Sequence, residues 1–382
     1  MERDEIAAWL RLSLTRGVGN TAARRLLVAF GEPRRIFEQP AQTLQICVTA
    51  AQADALLSPP QSLEALTQTT WQWLQDTPEG APARALVPLG HPLYPLPLLN
   101  TEDPPLLLYF MGAARFMEPD VLAGMRCLAM VGSRNPTPQG QDNALQFARA
   151  LHTAGLTIVS GLALGIDAAA HEGALDGAAG CGPTPATIAV VGTGLDRVYP
   201  RRNLGLAHRI AAQGLLVSEY PLGTPPLAAN FPKRNRIIAG LALGTLVVEA
   251  APASGSLITA RLACEQGREV FAIPGSIHAI QSRGCHALIR QGAKLVESVQ
   301  DVLEELQWPA TTPPAQTPTE PTGCETTHPL LDTMGFDPIG LDALQARSGL
   351  DTASLQVQLL ELELSGMVGR LPGGLFQRMA LA

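Results

Sequence analysis

The chain has 382 residues, of which 46% are hydrophobic and 16% charged, enough for one domain of roughly 200 residues with smaller appended units. Its formal net charge of −7 argues against a nucleic-acid partner for the chain as a whole. However, residues 121–300 carry 15 Lys/Arg and 10 Asp/Glu, whereas the other segments carry 12 and 24. The middle of the chain is locally basic, so a polyanionic partner for it stays open.

The sequence predicts a cytoplasmic protein. No apolar run approaches the length of a membrane span, and the first residues, Met-Glu-Arg-Asp-Glu, are too acidic for a signal peptide. The six cysteines are scattered without a C-x-x-C pair, which favours reduced thiols over a disulfide framework or a zinc site.

The first third of the chain divides into two parts. Residues 1–80 have apolar positions at helical spacing and predict a helical domain. Within it, Gly17–Asn20 separates two helices and can form a helix-hairpin-helix whose amides hold a DNA phosphate. The same glycines also suit a tight turn in a small bundle, and this packing interpretation is preferred. Residues 81–120 are rich in proline and predict a connector packed on the next domain.

Residues 81–307, connector included, form the predicted core, and from residue 125 short apolar runs alternate with helical stretches. Such alternation predicts an α/β fold with a doubly wound, mostly parallel sheet. In these sheets ligands bind at the carboxyl ends of the strands, where this sequence concentrates its glycines and polar residues. The predicted strands are Cys127–Gly132, Thr157–Gly161, Thr187–Gly192, Leu215–Glu219, Thr245–Glu249 and Glu269–Pro274.

The last part of the chain predicts a linker and a small domain. Residues 308–329 are rich in Pro and Thr and predict an extended linker. Residues 330–382 have the pattern of a winged helix, with its second helix over Asp351–Leu364. That helix has no Lys or Arg, so we expect it to contact protein rather than read DNA.

Three loops after predicted strands offer polar groups to a ligand. The first contains Gly132, Ser133 and Arg134, and Arg134 can bind a phosphate with two hydrogen bonds. The second contains Ser160 and Gly161 and leads into a helix that Asp167 is expected to cap. The third, Ser254–Ser256, precedes another helix. None has the G-x-G-x-x-G or Walker A pattern, so dinucleotide binding and nucleoside triphosphate hydrolysis are not expected.

The most informative stretch is Asn230–Gly240, which reads as a helix start. Asn230 can cap the helix, and its first turn then carries Lys233, Arg234 and Arg236. Cations at the positive end of a helix dipole are each unfavourable by roughly 0.3–1 kcal/mol, and a bound phosphate would reverse that sign. The alternative is a solvated basic turn.

Two further residues have open interpretations. Phe231 can stack on a base beside the basic turn, or it can pack as a hydrophobic staple of the helix, and the sequence favours neither. His171 lies four residues after Asp167, and the pair can be a catalytic dyad or a structural contact. Because no nucleophile lies nearby, the structural role is preferred, and the site is expected to bind rather than catalyse.

The order of these motifs resembles the DNA-processing protein A (DprA/Smf) family of bacteria over about half of the chain. The sequence departs from the family at His286, where the family usually has Asn after Gly-Cys. The segments that carry the resemblance are Val131–Arg134, Ser160–Asp167 with His171, Gly194–Asp196 with Tyr199–Pro200, Ser218–Pro221, Phe231–Arg236, Ser254–Ala260 and Gly267–Gly275.

The resemblance implies an extended Rossmann-like core with a helical N-terminal domain (SAM-like or helix-hairpin-helix-like) and a C-terminal winged helix. It implies a non-enzymatic protein without cofactor that binds single-stranded DNA, forms a homodimer through the Rossmann domain and loads RecA onto strands in natural transformation. Protection of incoming DNA and displacement of single-strand-binding protein are also implied. The DNA-binding residues that it implies are Gly132, Ser133, Arg134, Ser160, Gly161, Phe231, Lys233, Arg234, Asn235, Arg236, Ser254, Gly255 and Ser256.

A competing hypothesis is a nucleotide phosphoribohydrolase on a Rossmann-like fold. Related enzymes of that kind carry a P-G-G-x-G-T loop and a catalytic Glu. The comparable turn here, Ser254–Ser256, lacks that pattern.

Overall fold

The structure, a computed structural model, describes residues 1–78, 80–178, 182–308, 328–371 and 373–379. In this part of the chain, nine strands form one large sheet and three form a small one. No helix in it is both long and apolar enough to cross a membrane, and no three His, Cys, Asp or Glu side chains are grouped to hold a metal. Cys181 and Cys324 lie outside the described residues, and the four cysteines within them, Cys47, Cys127, Cys264 and Cys285, are free thiols.

The large sheet has the predicted doubly wound character. Its order is β1-β2-β6-β5-β4-β3-β7-β8-β9, and all neighbours pair in parallel except β1 with β2 and β2 with β6. Strands β4, β5 and β6 follow one another on one side of β3, and the chain then crosses over to place β7, β8 and β9 on its other side. The strands are β1 (Ala83–Pro88), β2 (Leu107–Gly112), β3 (Cys127–Val131), β4 (Thr157–Ser160), β5 (Thr187–Val190), β6 (Leu215–Ser218), β7 (Gly244–Val247), β8 (Glu269–Ala272) and β9 (Lys294–Leu295).

The segment predicted as a connector contributes two of these strands. Its prolines lie mainly between β1 and β2, so the irregular composition concealed a strand pair that extends the sheet. Every residue of β3, β4, β5, β6 and β7 is buried, because helices cover both faces. These helices are α7 (Leu96–Leu99), α8 (Pro119–Gly124), α9 (Pro138–Thr153), α10 (Ile166–Gly177), α11 (Leu204–Gln213), α12 (Asn230–Leu241), α13 (Ser256–Glu265), α14 (Arg283–Arg290) and α15 (Val299–Glu305), with 3-10 turns at Ala114–Phe116, Arg201–Asn203 and Ile280–Ser282.

The N-terminal residues are helical, as predicted, and they pack directly on the sheet. One apolar cluster includes Ile6 and Leu26 from this region and Tyr109 and Leu216 from the sheet. Trp73 also packs edge-on against Tyr109, with ring centroids 6.0 Å apart. The two regions therefore share a core. The helices are α1 (Arg3–Leu14), α2 (Asn20–Phe30), α3 (Pro33–Phe37), α4 (Ala41–Leu44), α5 (Ala50–Leu57) and α6 (Leu63–Gln75).

The C-terminal unit has winged-helix architecture, as predicted, with the strand order β10-β12-β11. Its hairpin touches the start of α9, where the Gln377 amide donates to Gln139 Oε1 at 2.8 Å. Most of the predicted linker, residues 309–327, lies outside the described residues. The elements are α16 (Pro329–Met334), β10 (Ile339–Gly340), α17 (Leu341–Ser348), α18 (Thr352–Leu364), β11 (Val368–Leu371) and β12 (Leu375–Arg378).

Candidate nucleic-acid interface

A cavity of about 650 Å³ opens at the carboxyl ends of β3 and β7, where the winding of the sheet reverses direction. Open α/β sheets bind ligands at this position, because the loops on the two sides diverge and leave a crevice. The cavity brings together the loops after β3 and β7 with the first turn of α12. The predicted site residues that line it are Gly132, Ser133, Arg134, Phe231, Arg234, Asn235, Ser254, Gly255 and Ser256.

Arg234 lies beneath this cavity rather than at its mouth. The residue is 5% exposed, and its guanidinium donates to the carbonyl of Gly161 at 2.7 Å and to that of Val190. Burial lowers its pKa to about 10, an effect that Asp167 opposes, so the group is charged at neutral pH. The prediction that Arg234 holds a phosphate is therefore not supported by its geometry, because its donors join α12 to the ends of β4 and β5.

The loop after β4 is closed by two buried side chains. Asp167 Oδ2 accepts from the amides of Gly161 (3.1 Å) and Ala163 (3.4 Å), and His171 Nε2 accepts from the amide of Leu162 at 3.3 Å. Asp167 thus binds the loop instead of capping α10, whose N-cap is Gly165. Burial raises the pKa of Asp167. These amides are occupied and cannot receive a phosphate.

His171 is neutral in this arrangement. The Thr187 hydroxyl donates to Ile158 O, so His171 Nδ1, 2.6 Å away, is the donor to that hydroxyl. Its other nitrogen is then the acceptor for the loop amide. Burial lowers the pKa of His171 to about 3, and the nearby positive charge of Arg234 acts in the same direction. His171 therefore has the structural role that the sequence favoured.

Ser160 and Gly161 do not reach the cavity. Ser160 is fully buried, and its hydroxyl donates to Met130 O at 2.6 Å. A Cβ on Gly161 would lie 2.5 Å from Arg234 Nη1, so a glycine is required for the guanidinium to pack there. The predicted contact of these two residues with DNA is therefore not supported by their geometry, since both are buried in internal packing next to the cavity.

The loop after β3 packs against Ile166 and Glu249 on one side and is exposed to solvent at Arg134. A Cβ on Gly132 would lie 2.6 Å from Ile166 Cγ1, so internal packing alone requires a glycine at this position of the cavity lining. The Ser133 amide donates to Glu249 O at 2.8 Å, and its hydroxyl accepts from the Asn135 amide. Arg134 is exposed and has no ion-pair partner among the described residues.

The opposite wall is the start of α13. Gly255 precedes the helix, and the hydroxyls of Ser254 and Ser256 lie 2.7 Å apart. The Asn235 amide donates to Gly255 O at 3.4 Å and links this wall to α12. No atom lies within 4 Å of a Cβ placed on Gly255, so this turn faces open space.

Phe231 forms an aromatic pair that the sequence analysis missed. Its ring lies 5.6 Å from that of Tyr199, tilted by 40°, and both residues line the cavity. Phe231 is half-buried over Gly192, and Tyr199 is 48% exposed. The sequence signal that could have indicated this pair was the Tyr199–Pro200 dipeptide in the segment between β5 and α11.

The two remaining cations of α12 have different environments. Lys233 is exposed and has no ion-pair partner in the described parts of the chain. Arg236 donates from Nε to Asp103 Oδ2 at 2.9 Å and from Nη2 to Glu219 Oε1 at 2.5 Å. The prediction that Arg236 holds a phosphate is therefore not supported by its geometry, because two carboxylates occupy its guanidinium.

The helix itself begins where the sequence indicated, with Asn230 as its first residue rather than its cap. The side-chain amide of Asn230 (Nδ2) instead donates to Gly192 O at 3.1 Å, which fixes the helix start beside the strand ends. His286, the departure from the family pattern, lies outside the described cavity lining. Its Nε2 is 3.0 Å from Gly275 O, so it contacts the loop after β8.

Comparison with known proteins shows the family of this chain. The family model described as DNA recombination-mediator protein A matches residues 85–307, which contain the whole cavity. This chain belongs to that family. A second family model, the DprA winged helix domain, matches residues 310–374.

Relatives in this family cover most of the chain. Protein Smf from Escherichia coli (strain K12) is 42% identical over 86% of this chain and 85% of its own length. The X-ray structure of DNA processing protein A from Streptococcus pneumoniae has a TM-score of 0.64 at 37% identity and covers 80% of this chain and 98% of its own. A structure of DNA processing protein A from Helicobacter pylori, which concerns its single-stranded DNA binding mode, has a TM-score of 0.51 at 29% identity and covers 59% of this chain and 95% of its own.

We predict that Arg234→Ala lowers the free energy of unfolding by about 3–5 kcal/mol, because it leaves two buried carbonyls without a donor and removes the cation near Asp167. Lys233→Ala, one residue earlier on the same helix, should change it by less than about 0.5 kcal/mol. Urea denaturation measures both. Equal free energies of unfolding for the two variants would show that the hydrogen bonds of Arg234 to the strand ends do not stabilise the fold.

We also predict an acid sensitivity that depends on His171. Its pKa is lowered to about 3 in the folded chain from the ordinary 6.5, so the unfolded state binds the additional proton between these values. The free energy of unfolding should therefore decrease as the pH is lowered through this window, by about 2 kcal/mol from pH 7 to pH 5. His171→Gln should lack this contribution when urea denaturation of the two proteins is compared at both pH values. An identical pH dependence would contradict the neutral buried imidazole.

Proposed function

We propose that this chain is a recombination mediator that binds single-stranded DNA in the cavity between β3, β7 and α12. The observation that carries the proposal is the half-exposed pair Phe231 and Tyr199 in a cavity that Arg134 also lines. Aromatic faces accept any base, and adjacent cations follow the backbone, which is the arrangement of proteins that bind single strands. Support also comes from the Helicobacter pylori relative, whose structure concerns single-stranded DNA binding.

In this proposal the phosphates contact two exposed cations. Arg134 lines the cavity, and Lys233 lies between the lining residues Pro232 and Arg234 without lining the cavity itself. Arg134 can give a phosphate two parallel hydrogen bonds, whereas Lys233 acts as a point charge beside the start of α12. Ser254, Gly255 and Ser256 supply hydroxyls and backbone at the opposite wall. A base can then stack on Phe231, with each stacked base contributing about 1–3 kcal/mol.

The wider role that we propose is the one that the family resemblance implies. We propose that the bound strand is passed to RecA during natural transformation, with protection of incoming DNA and displacement of single-strand-binding protein. A homodimer through the Rossmann domain would place two cavities on one assembly. These steps rest on the family resemblance rather than on contacts within this chain.

The phosphoribohydrolase alternative has little support from the geometry. Among the described residues that line the cavity, Asp167 is the only carboxylate, and its Oδ2 accepts from two loop amides. Release of free base from nucleoside monophosphates by the purified chain would favour that alternative.

The test is a titration of labelled single strands and duplexes with Arg134→Ala/Lys233→Ala. We expect its Kd for single strands to rise about hundredfold, because hydrogen bonds to charged groups contribute about 1.5–3 kcal/mol each. Arg149→Ala/Arg290→Ala removes the same charge from exposed positions on α9 and α14 and is the control. Equal affinities of the two double variants would contradict the site.

A further inference from the structure

Arg236 is the central group of a charged cluster that joins three parts of the chain. It lies on α12, three residues after Lys233, and its side chain is only 16% exposed. Glu219 comes directly after β6 and is 19% exposed, and Asp103 comes from the segment between α7 and β2. The guanidinium uses two different nitrogens for the two carboxylates.

The cluster continues into the N-terminal helices. The Asn20 amide donates to Glu219 Oε1 at 3.3 Å, so the first residue of α2 binds the same oxygen as Arg236. Arg24, one turn later on α2, donates to Glu102 O at 2.7 Å, beside Asp103. The N-terminal helices therefore reach α12 through hydrogen bonds by way of Glu219 and the 102–103 segment, whereas their apolar core is shared with the sheet and not with α12.

The charges in this cluster do not favour a phosphate. The Arg236 guanidinium faces the carboxylates of Asp103 and Glu219, so these three side chains together carry a net negative charge and leave no unpaired cation for a phosphate. Releasing Arg236 for a phosphate would leave two partly buried carboxylates without their cation. Lys233 has no such partners among the described residues and is free to bind.

We propose that Arg236 is a positioning residue that fixes the start of α12 against the N-terminal helices, so that strand affinity depends on how these helices are docked. This inference rests on the proposed function, because it concerns how Lys233 and Phe231 are held for the same strand. The fork of the guanidinium is essential, since one ammonium cannot reproduce two hydrogen bonds at fixed angles.

The test compares full-length Arg236→Lys with the wild type, using a fluorescein-labelled oligothymidylate. Positioning predicts that Kd rises about threefold to tenfold in the folded variant although the charge is kept. Hydrogen exchange of residues 20–30 should slow when the oligonucleotide binds the wild type, because the coupling is reciprocal, and should not slow in the variant. Arg209→Lys, in the exposed Arg209–Asp176 ion pair, is the matched control and should behave as wild type.

Glu219→Gln should change the Kd for single strands in opposite directions depending on whether Arg236 positions α12 or binds the strand directly. If Arg236 positions the helix, the loss of Glu219 weakens strand binding, whereas a directly binding Arg236 would be released and would bind more tightly. Asn20→Ala provides a second variant if Arg236→Lys does not fold, and it should reproduce part of the rise in Kd. A wild-type Kd in Arg236→Lys, or unchanged exchange of residues 20–30 in the wild type, would overturn the inference. Failure of the wild type to bind any oligonucleotide would overturn the proposed function and this inference with it.

Discussion

The buried guanidinium of Arg234 is the interaction on which the rest of the site depends. It fills the space beneath the cavity and binds carbonyls at the ends of two parallel strands, one of them at Gly161, where only a glycine leaves room. Asp167 and His171 hold the same loop through its amides. Together these contacts determine where α12 begins, and hence where Phe231 and Lys233 lie relative to Arg134.

This arrangement explains how a helix start can carry three cations. Each would be unfavourable beside the positive end of the helix dipole if it were left in water alone. Arg234 is stabilised by two carbonyls and by the field of Asp167, and Arg236 by Asp103 and Glu219. In the described structure only Lys233 keeps the electrostatic cost, which a strand phosphate would offset. The basic turn thus combines two structural cations with one that is free to bind a ligand.

Much of the fold could be predicted from the sequence because its signals are local. Apolar strands alternating with helices indicated the parallel sheet, and glycines at the strand ends indicated the edge where the cavity lies. Which cations of α12 have internal partners could not be predicted, since Asp103 is 133 residues from Arg236 and Gly161 is 73 residues from Arg234. Tyr199 was missed for the same reason, because its aromatic partner Phe231 lies on α12, a separate element later in the chain. The strands β1 and β2 were concealed by the prolines between them.

Our central proposal is that Arg134 and Lys233, and not Arg234 or Arg236, contact the phosphates of a single strand. Its most direct test is the slope of log affinity against log salt concentration for the wild type and for Arg134→Ala and Lys233→Ala. Each phosphate contact contributes about −0.7 to this slope for single strands, so each variant should have a slope smaller by about that amount. Slopes equal to that of the wild type in both variants would contradict the account.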